Sequence, residues 1–396
     1  MTNAAKGPFA GLLVVDLTRV LAGPYCAMML ADMGARVIKV EPPVKGDDSR
    51  HYGPYLTAKS GKVKSGYFIS VNRGKESIAL DLKSDSDRTI FEALLEKADV
   101  LIENYRGGTM EKLGYGYDSL QEKFPRLIYA AVSGFGHTGP YARRPAYDMI
   151  AQAMGGVMSL TGHADGPPVR VGTSTGDLTA ALFATIGIAT ALYDREKTGR
   201  GQKVDVAMLD AQVAVLENAI SRYVATGEVP GKLGNRHPSI APFAAFATRD
   251  GHIAIAAGND ELWARVAKVL GREDWAADPR FATNPERARN VEAMTEEMEV
   301  VLSARPSKEW LALLEAEGVP CGPLNNVADV MADPQVLARN MIVECLDPDL
   351  GAIKMQGNPI KLSAHEDPKT RPPAPELDGD REAILRELGL PSRRSP

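Results

Sequence analysis

The feature that most constrains this chain is the alternation of apolar strand runs with amphipathic helical stretches through its first 135 residues. GLLVVDL (11–17) precedes the helical AGPYCAMMLADMG (22–34), and ARVIKVE (35–41) reads as the next strand. SIALDL (77–82), DVLIEN (99–104) and RLIYAAVSGF (126–135) are further strands, separated by the helical SDSDRTIFEALLEKA (84–98) and DSLQEKF (118–124). A β-α-β rhythm predicts an α/β fold with a parallel sheet covered by helices. The strands are almost unbroken Val, Ile and Leu, as expected when both sheet faces are buried. Ligands of such sheets bind at the C-terminal strand ends. The loops to watch are therefore Thr18–Pro24, Asn104–Gly108 and Ser133–Pro140.

Length requires more than this sheet. A single core rarely exceeds roughly 300 residues, and the chain has 396. An apolar helix at 177–193 leads into a turn and strand in TGRGQKVDVAML, and a long helix is predicted over 207–226. The polar GEVPGKLGNRHPS reads as a linker closing a large domain at 1–225. A hairpin about Asp250-Gly251 and helical patterns at 260–270, 286–303 and 306–317 predict a smaller α+β domain at 226–330. The segment 331–396 returns to strand and loop, then a Pro-rich strap and a last helix near 380–388.

Charge and motifs exclude several functions. The net charge of −5 argues against nucleic acid. Residues 1–112 carry 16 basic against 14 acidic groups, a balance suited to a small anionic ligand. Cys26, Cys321 and Cys345 are too few and too scattered for a disulfide framework or metal site, which fits a cytoplasmic protein. The N-terminus lacks a signal-peptide pattern. The apolar run Leu178–Tyr193 spans about 24 Å as a helix, short of a ~30 Å bilayer core. It reads as a buried helix, with no membrane partner. Metal, EF-hand and Walker patterns are absent from the sequence.

Two short patterns do occur. Gly134–Gly139 fits G-x-G-x-x-G, but Pro140 and Pro145 interrupt the helix that a nicotinamide site needs, and position 159 is Ser where an acid belongs. Gly172–Gly176 fits G-x-S-x-G, which makes Ser174 the nucleophile of an alternative serine hydrolase. Asp177 follows at the start of the apolar helix. Locally it reads as an N-cap, although a carboxylate there can also serve as a covalent nucleophile.

Longer blocks are more specific. VVDLTRVLAGPYCAMMLADMGARVIKVEPP, SVNRGKESIALDLK, ADVLIENYRGGTMEKLGYGY, VSGFGHTGP, YDMIAQAMGG, GDLTAALFATIGIATALYDREKTGRGQKVDVAML, DPRFATNPERARN and GVPCGPLNNVADVMADPQVLARNM run in order along the chain. Together they resemble the class III coenzyme A transferases (the CaiB/BaiF family), which include formyl-CoA:oxalate transferase. The resemblance implies a Rossmann-like large domain to which 331–396 returns, an inserted small domain, and an interlocked, ring-like homodimer. It implies CoA transfer from an acyl-CoA of succinyl or formyl type to a carboxylic acid, through aspartyl anhydride and aspartyl-CoA thioester intermediates. CoA enters as substrate, without metal or nicotinamide.

The family's aspartate sits in a G-D pair, here Gly176-Asp177. By the same likeness Val20, Leu21, Ala22, Leu80, Lys83, Asn104, Tyr105, Arg106, Lys112, Gly134 and Phe135 become candidate CoA contacts. Pro42 stands where formyl-CoA transferase has an Arg, and the glycine run of that enzyme's small domain shrinks to AAGND, leaving Gly258 and Asn259. These departures point away from oxalate and toward larger dicarboxylates such as glutarate or itaconate, with Arg236 and His237 as candidate carboxylate binders. A 2-methylacyl-CoA racemase, the other alternative, needs a G-H-D triplet; the matching triplet is Ala146-Tyr147-Asp148.

Overall fold

The structure, a computed structural model, describes residues 7–391. Six parallel strands form its largest sheet: β1 (Leu13–Asp16), β2 (Arg36–Glu41), β3 (Glu76–Ala79), β4 (Val100–Glu103), β5 (Ile128–Ser133) and β6 (Lys203–Ala207). Their spatial order is β3-β2-β1-β4-β5-β6. The alternation of side chains across a strand explains why both faces are apolar. Val14, Val100, Ile102, Ala130 and Val132 pack with helices α1 (Ala22–Asp32) and α2 (Thr175–Thr198). Val15, Ile38, Leu101, Tyr129 and Ala131 pack on the other side, with helices Asp85–Lys97 and Arg381–Glu387.

The order reverses between β1 and β4. The chain runs outward from β1 to β3, then returns to the far side of β1. At such a switch point two neighbouring loops diverge and leave a crevice beyond the strand ends. Here those loops follow Asp16 and Glu103.

The edge of β3 is covered. Ser77 N–H donates to Asp380 Oδ2 at 2.8 Å and Ala79 N–H to Asp378 Oδ1 at 2.7 Å. Two carboxylates from the C-terminal segment thus occupy ladder positions that would otherwise invite another strand. Ile384, from the following helix, is buried in the sheet core.

The described chain divides into two compact units. The first holds the chain up to Val157, Arg170–Ser221 and the segment from Pro334 onward; Met158–Val169 and Arg222–Asp333 form the second. The second unit has an antiparallel sheet of Phe243–Ala247, His252–Ala256 and Cys321–Pro323. Trp263 and Trp275 stack in its core with ring centroids 5.8 Å apart. The buried Arg287 guanidinium donates to the carbonyls of Ala241 and Phe281 and pairs with Asp260.

Local details differ from the sequence expectations. The helix expected over 207–226 is two, Met208–Ala214 and Asn218–Thr226, parted where Glu217 takes φ +53°. The helix expected over 286–303 breaks at Asn290 into Asn284–Arg289 and Val291–Leu302. A hairpin, Tyr55–Thr57 against Val63–Ser65, and a helix, Gly66–Asn72, fill a stretch that carries little apolar periodicity.

Ile384→Ala removes a buried side chain where the C-terminal helix meets the sheet. It is expected to lower unfolding free energy by about 2–4 kcal/mol, read from urea titration by circular dichroism.

Candidate active site

Three strand-end loops enclose a cavity of about 300 Å³ in the first unit. After β1 come Arg19, Val20, Leu21 and Ala22; after β4, Asn104, Tyr105 and Arg106; after β5, Gly134 and the later turn Ala142–Tyr147. Asp177, in the first turn of α2, also lines the cavity. The sequence-nominated residues Val20, Leu21, Ala22, Asn104, Tyr105, Arg106, Gly134 and Asp177 therefore share one wall system.

The loops are tied together across the switch point. Asn104 Oδ1 accepts from Arg19 N–H at 2.8 Å, and its Nδ2 donates to the Arg19 carbonyl at 2.7 Å. Both amide functions are thereby used on backbone, which holds the β1 and β4 loops in register. The Arg19 guanidinium lies over the Tyr105 ring, 5.1 Å from its centroid. Arg144 lies over Tyr141 at 4.6 Å and Phe135 at 5.4 Å. Arg19, Arg106 and Arg144 give the cavity lining three cationic groups, and Asp48 and Asp177 give it two carboxylates.

Asp177 is not the helix cap that its local pattern suggests. The helix starts at Thr175, and Ser174 occupies the cap position. Asp177 is the helix's third residue, in the first turn, where free N–H groups and the helix dipole favour an anion. Its carboxylate accepts no hydrogen bond from the described residues. Burial, followed by the nearby Asp148 charge, pushes its carboxyl up to about 7. A carboxyl left without donors in a partly dry site resists ionisation.

Asp148 orders this corner. Its Oδ1 accepts from Gly176 N–H at 2.8 Å, its Oδ2 from Gln152 Nε2 at 2.8 Å, and Arg170 Nη2 stands 3.3 Å away. A Cβ at Gly176 would come within 3.1 Å of both Asp148 Oδ1 and Ala151 Cβ. A Cβ at Gly134 would lie 2.3 Å from that of Ala146. Both glycines permit a close approach that a side chain would forbid.

Other nominated residues lie elsewhere. Leu80 is buried in the sheet core, while Lys83 and Lys112 are exposed and outside the cavity lining. Phe135 is buried beneath Arg144. Arg236 lines a cavity of about 330 Å³ within the second unit, with His163, Asn235, Glu292 and Glu296. His237 packs on Phe243, and its Nδ1 accepts from Ser239 N–H at 3.2 Å. Asn259 caps the helix Asp260–Val269 through Leu262 N–H, and Gly258 is exposed beside it. Ser174 Oγ meets Arg170 at 3.5 Å rather than a histidine, so a serine hydrolase lacks its base there. Burial pushes the Cys26 thiol up to about 12, which leaves it inert. Arg19, Asp48 and Arg144 line the site without having been nominated. For Arg19 the signal was its place beside Val20; Asp48 and Arg144 carried none.

A parallel sheet of doubly wound order, with a carboxylate at the switch-point cavity, defines the class as an α/β enzyme acting on a small ligand. The family model for CoA-transferase family III matches residues 9–381, so the chain belongs to that family and is an enzyme that transfers CoA. Acetyl-CoA:oxalate CoA-transferase of Acetobacter aceti is 48% identical over 98% of this chain and 98% of its own. Succinyl-CoA:mesaconate CoA-transferase of Haloarcula hispanica is 43% identical, covering 97% of each chain. The crystal structure of a CAIB/BAIF family protein from Brucella suis superposes with a TM-score of 0.86 at 41% identity, covering 97% of this chain and 100% of that one.

The raised Asp177 carboxyl predicts a stability effect with a fixed sign. The folded state binds this proton more tightly than the unfolded chain. Its stabilising contribution is therefore full below the unfolded value near 3.8 and is lost as pH rises through about 7. Asp177→Asn removes the titration. The variant's stability relative to wild type is expected to grow by about 1–3 kcal/mol between pH 5 and pH 8, measured by urea unfolding at both values.

Proposed function

We propose that this enzyme moves CoA from an acyl-CoA to a dicarboxylate, with Asp177 as the covalent nucleophile. The observation that carries the reading is the Asp177 carboxylate itself: cavity-lining, without hydrogen-bond donors and hard to ionise. Poor solvation makes a carboxylate a stronger nucleophile once ionised, and the adjoining helix N-terminus favours the anion where it is needed.

In the proposed sequence, an Asp177 oxygen attacks the thioester carbonyl of the donor. The C–S bond breaks, giving CoA thiolate and a mixed anhydride. The thiolate then attacks the Asp177 carbonyl, releasing the donor as its carboxylate and leaving an aspartyl-CoA thioester. An acceptor carboxylate attacks that thioester, forming a second anhydride and freeing the thiolate. Attack of the thiolate on the acceptor carbonyl restores Asp177 and yields the new acyl-CoA. No water is consumed and no electrons are transferred. Four acyl-transfer steps with modest barriers replace one direct exchange between a thioester and a poor nucleophile.

Val20, Leu21, Ala22, Asn104, Tyr105, Arg106 and Gly134 are the proposed CoA-facing surface. Arg19, Arg106 and Arg144 supply charge for phosphate or carboxylate oxygens. The acceptor class is supported by the relatives, whose names give oxalate and mesaconate as acceptors while differing in donor. The 48% relative argues against setting oxalate aside on the strength of Pro42 and the short glycine run. Tyr147 in the position of a racemase histidine supports transfer over racemisation, because a phenol is a weak base toward an α-proton.

The deciding measurement is CoA exchange from acetyl-, succinyl- and formyl-CoA to oxalate, mesaconate, glutarate and itaconate, with wild type and Asp177→Ala. Wild type is expected to turn over at least one pair, and Asp177→Ala to lose about 10³-fold or more while still binding CoA. Activity should rise with pH through about 7 and level off above it, because only the ionised Asp177 attacks. Full activity in Asp177→Ala defeats the reading.

The reading extends to a homodimer. Leu182, Phe183, Ile186 and Tyr193 are exposed on the side of α2 that faces away from the sheet. A second copy of the chain is the proposed cover for that face. Light scattering at micromolar concentration should give twice the 42.5 kDa chain mass, and a monomer would refute it.

A further inference from the structure

We infer that Asp47 and Lys39 are positioning residues for the acyl-CoA cavity, a buried ion pair that holds the loop between β1 and α1 in a conformation it would not keep unaided. The inference rests on reading that cavity as the acyl-CoA site.

The loop contains a strained residue. Val20 is β-branched, yet it takes φ +68°, in the left-handed region where side chains of its type are outliers. Such a conformation persists only where the surroundings over-determine it. Asp47 does this from the loop after β2. Its Oδ1 accepts from Val20 N–H at 3.1 Å and from the N–H and hydroxyl of Ser49 at 2.9 and 2.8 Å. Its Oδ2 pairs with Lys39 Nζ at 2.9 Å. Lys39 Nζ also donates to the Thr18 carbonyl at 2.7 Å. One ion pair thus holds the backbone on both sides of Arg19, through a carbonyl on one side and an N–H on the other.

A second lysine grips the far end. Lys75 Nζ bonds Asp16 Oδ2 at 2.9 Å and the Pro24 carbonyl, in the first turn of α1, at 3.0 Å. Asp16 Oδ1 in turn accepts from Thr18 N–H at 2.8 Å. Asp16, Lys39, Asp47 and Lys75 are all buried, and none lines the cavity. They can reach a ligand only through the loop they hold. Burial opposes the charge on Asp47, yet Lys39 and the Ser49 and Val20 N–H groups hold its carboxyl down to about 2.

An apolar core would support the sheet at lower cost in desolvation. It would not give the inward-pointing Thr18 carbonyl and Val20 N–H the partners that buried backbone groups need. The charges are placed where the backbone departs from regular structure, beneath the wall formed by Val20, Leu21 and Ala22.

The test is a double-mutant cycle of Asp47→Ala and Val20→Gly. Calorimetric CoA binding and the KM for acyl-CoA should weaken about tenfold in Asp47→Ala, with kcat and the acceptor KM changing far less. Glycine adopts positive φ without strain, so adding Val20→Gly to Asp47→Ala should recover most of that loss, beyond the effect of Val20→Gly alone. A folded Asp47→Ala with wild-type acyl-CoA affinity overturns the inference, as does strict additivity of the two substitutions. If Asp47→Ala alone does not fold, restored folding in the double variant supports the clamp, and failure to restore it overturns the clamp. A wild type that binds no CoA would sink the parent reading first, an outcome visible without any variant.

Discussion

Burial of the parallel sheet on both faces is the constraint from which the rest of the first unit follows. Val14 and Val15, or Leu101 and Ile102, point in opposite directions and both meet apolar layers. Neither face can then accommodate polar chemistry, and polar function is displaced to the strand ends. Among those ends, the gap where order reverses between β1 and β4 is the one place where loops diverge. The cavity, the Asn104 clamp on Arg19 and the buried ion pairs all gather at that gap.

The site sets two treatments of buried carboxylates side by side. Asp16 and Asp47 are surrounded by lysines and N–H donors, so their charge is secure and structural. Asp177 has neither a lysine partner nor a hydrogen-bond donor among the described residues, Asp148 adds like charge, and its own charge is costly. The same side chain carries a secured charge in one setting and a costly one in the other. Desolvation separates them, and the protein supplies compensation to the first kind only.

Much of this was legible in the sequence, for identifiable reasons. The first five strands were legible because double-sided burial leaves nearly unbroken Val/Ile/Leu runs, and the loops after β1, β4 and β5 were identifiable from them; β6, at the sheet edge, reads Lys-Val-Asp-Val-Ala and showed only as a strand after a turn. Asp177 was visible as a residue at a helix start, but local pattern assigned it the cap. Asp and Ser compete for that position on equal terms, and nothing local reveals that the helix begins two residues earlier. The break at Glu217 was hidden because apolar periodicity continues across it. Leu80 and Lys83 are candidates by likeness alone, and both follow the end of β3, where Leu80 packs into the core and Lys83 stays exposed in a turn. The Lys39–Asp47 clamp was out of reach, since a lysine in an apolar strand declares no partner and its acid lies on a loop without a motif.

A costly carboxylate is useful only if the fold cannot relax it away. Asp177 could lower its energy by turning toward donors or by unwinding its helical turn. The packing of α2 opposes both. Ala180, Ala181, Ala184 and Ile188 seat one side of the helix in the sheet core, so the helix start cannot shift independently of it. Gly176 brings the first turn against Asp148 so closely that a Cβ would be crowded, and the Gly176 N–H to Asp148 bond fixes the turn there. That bond also sets the Asp148 charge beside Asp177, which contributes to the cost of ionising it. The contact that anchors the helix thus also makes its third residue harder to ionise, and glycine precedes the aspartate at a point where a Cβ would crowd that anchor.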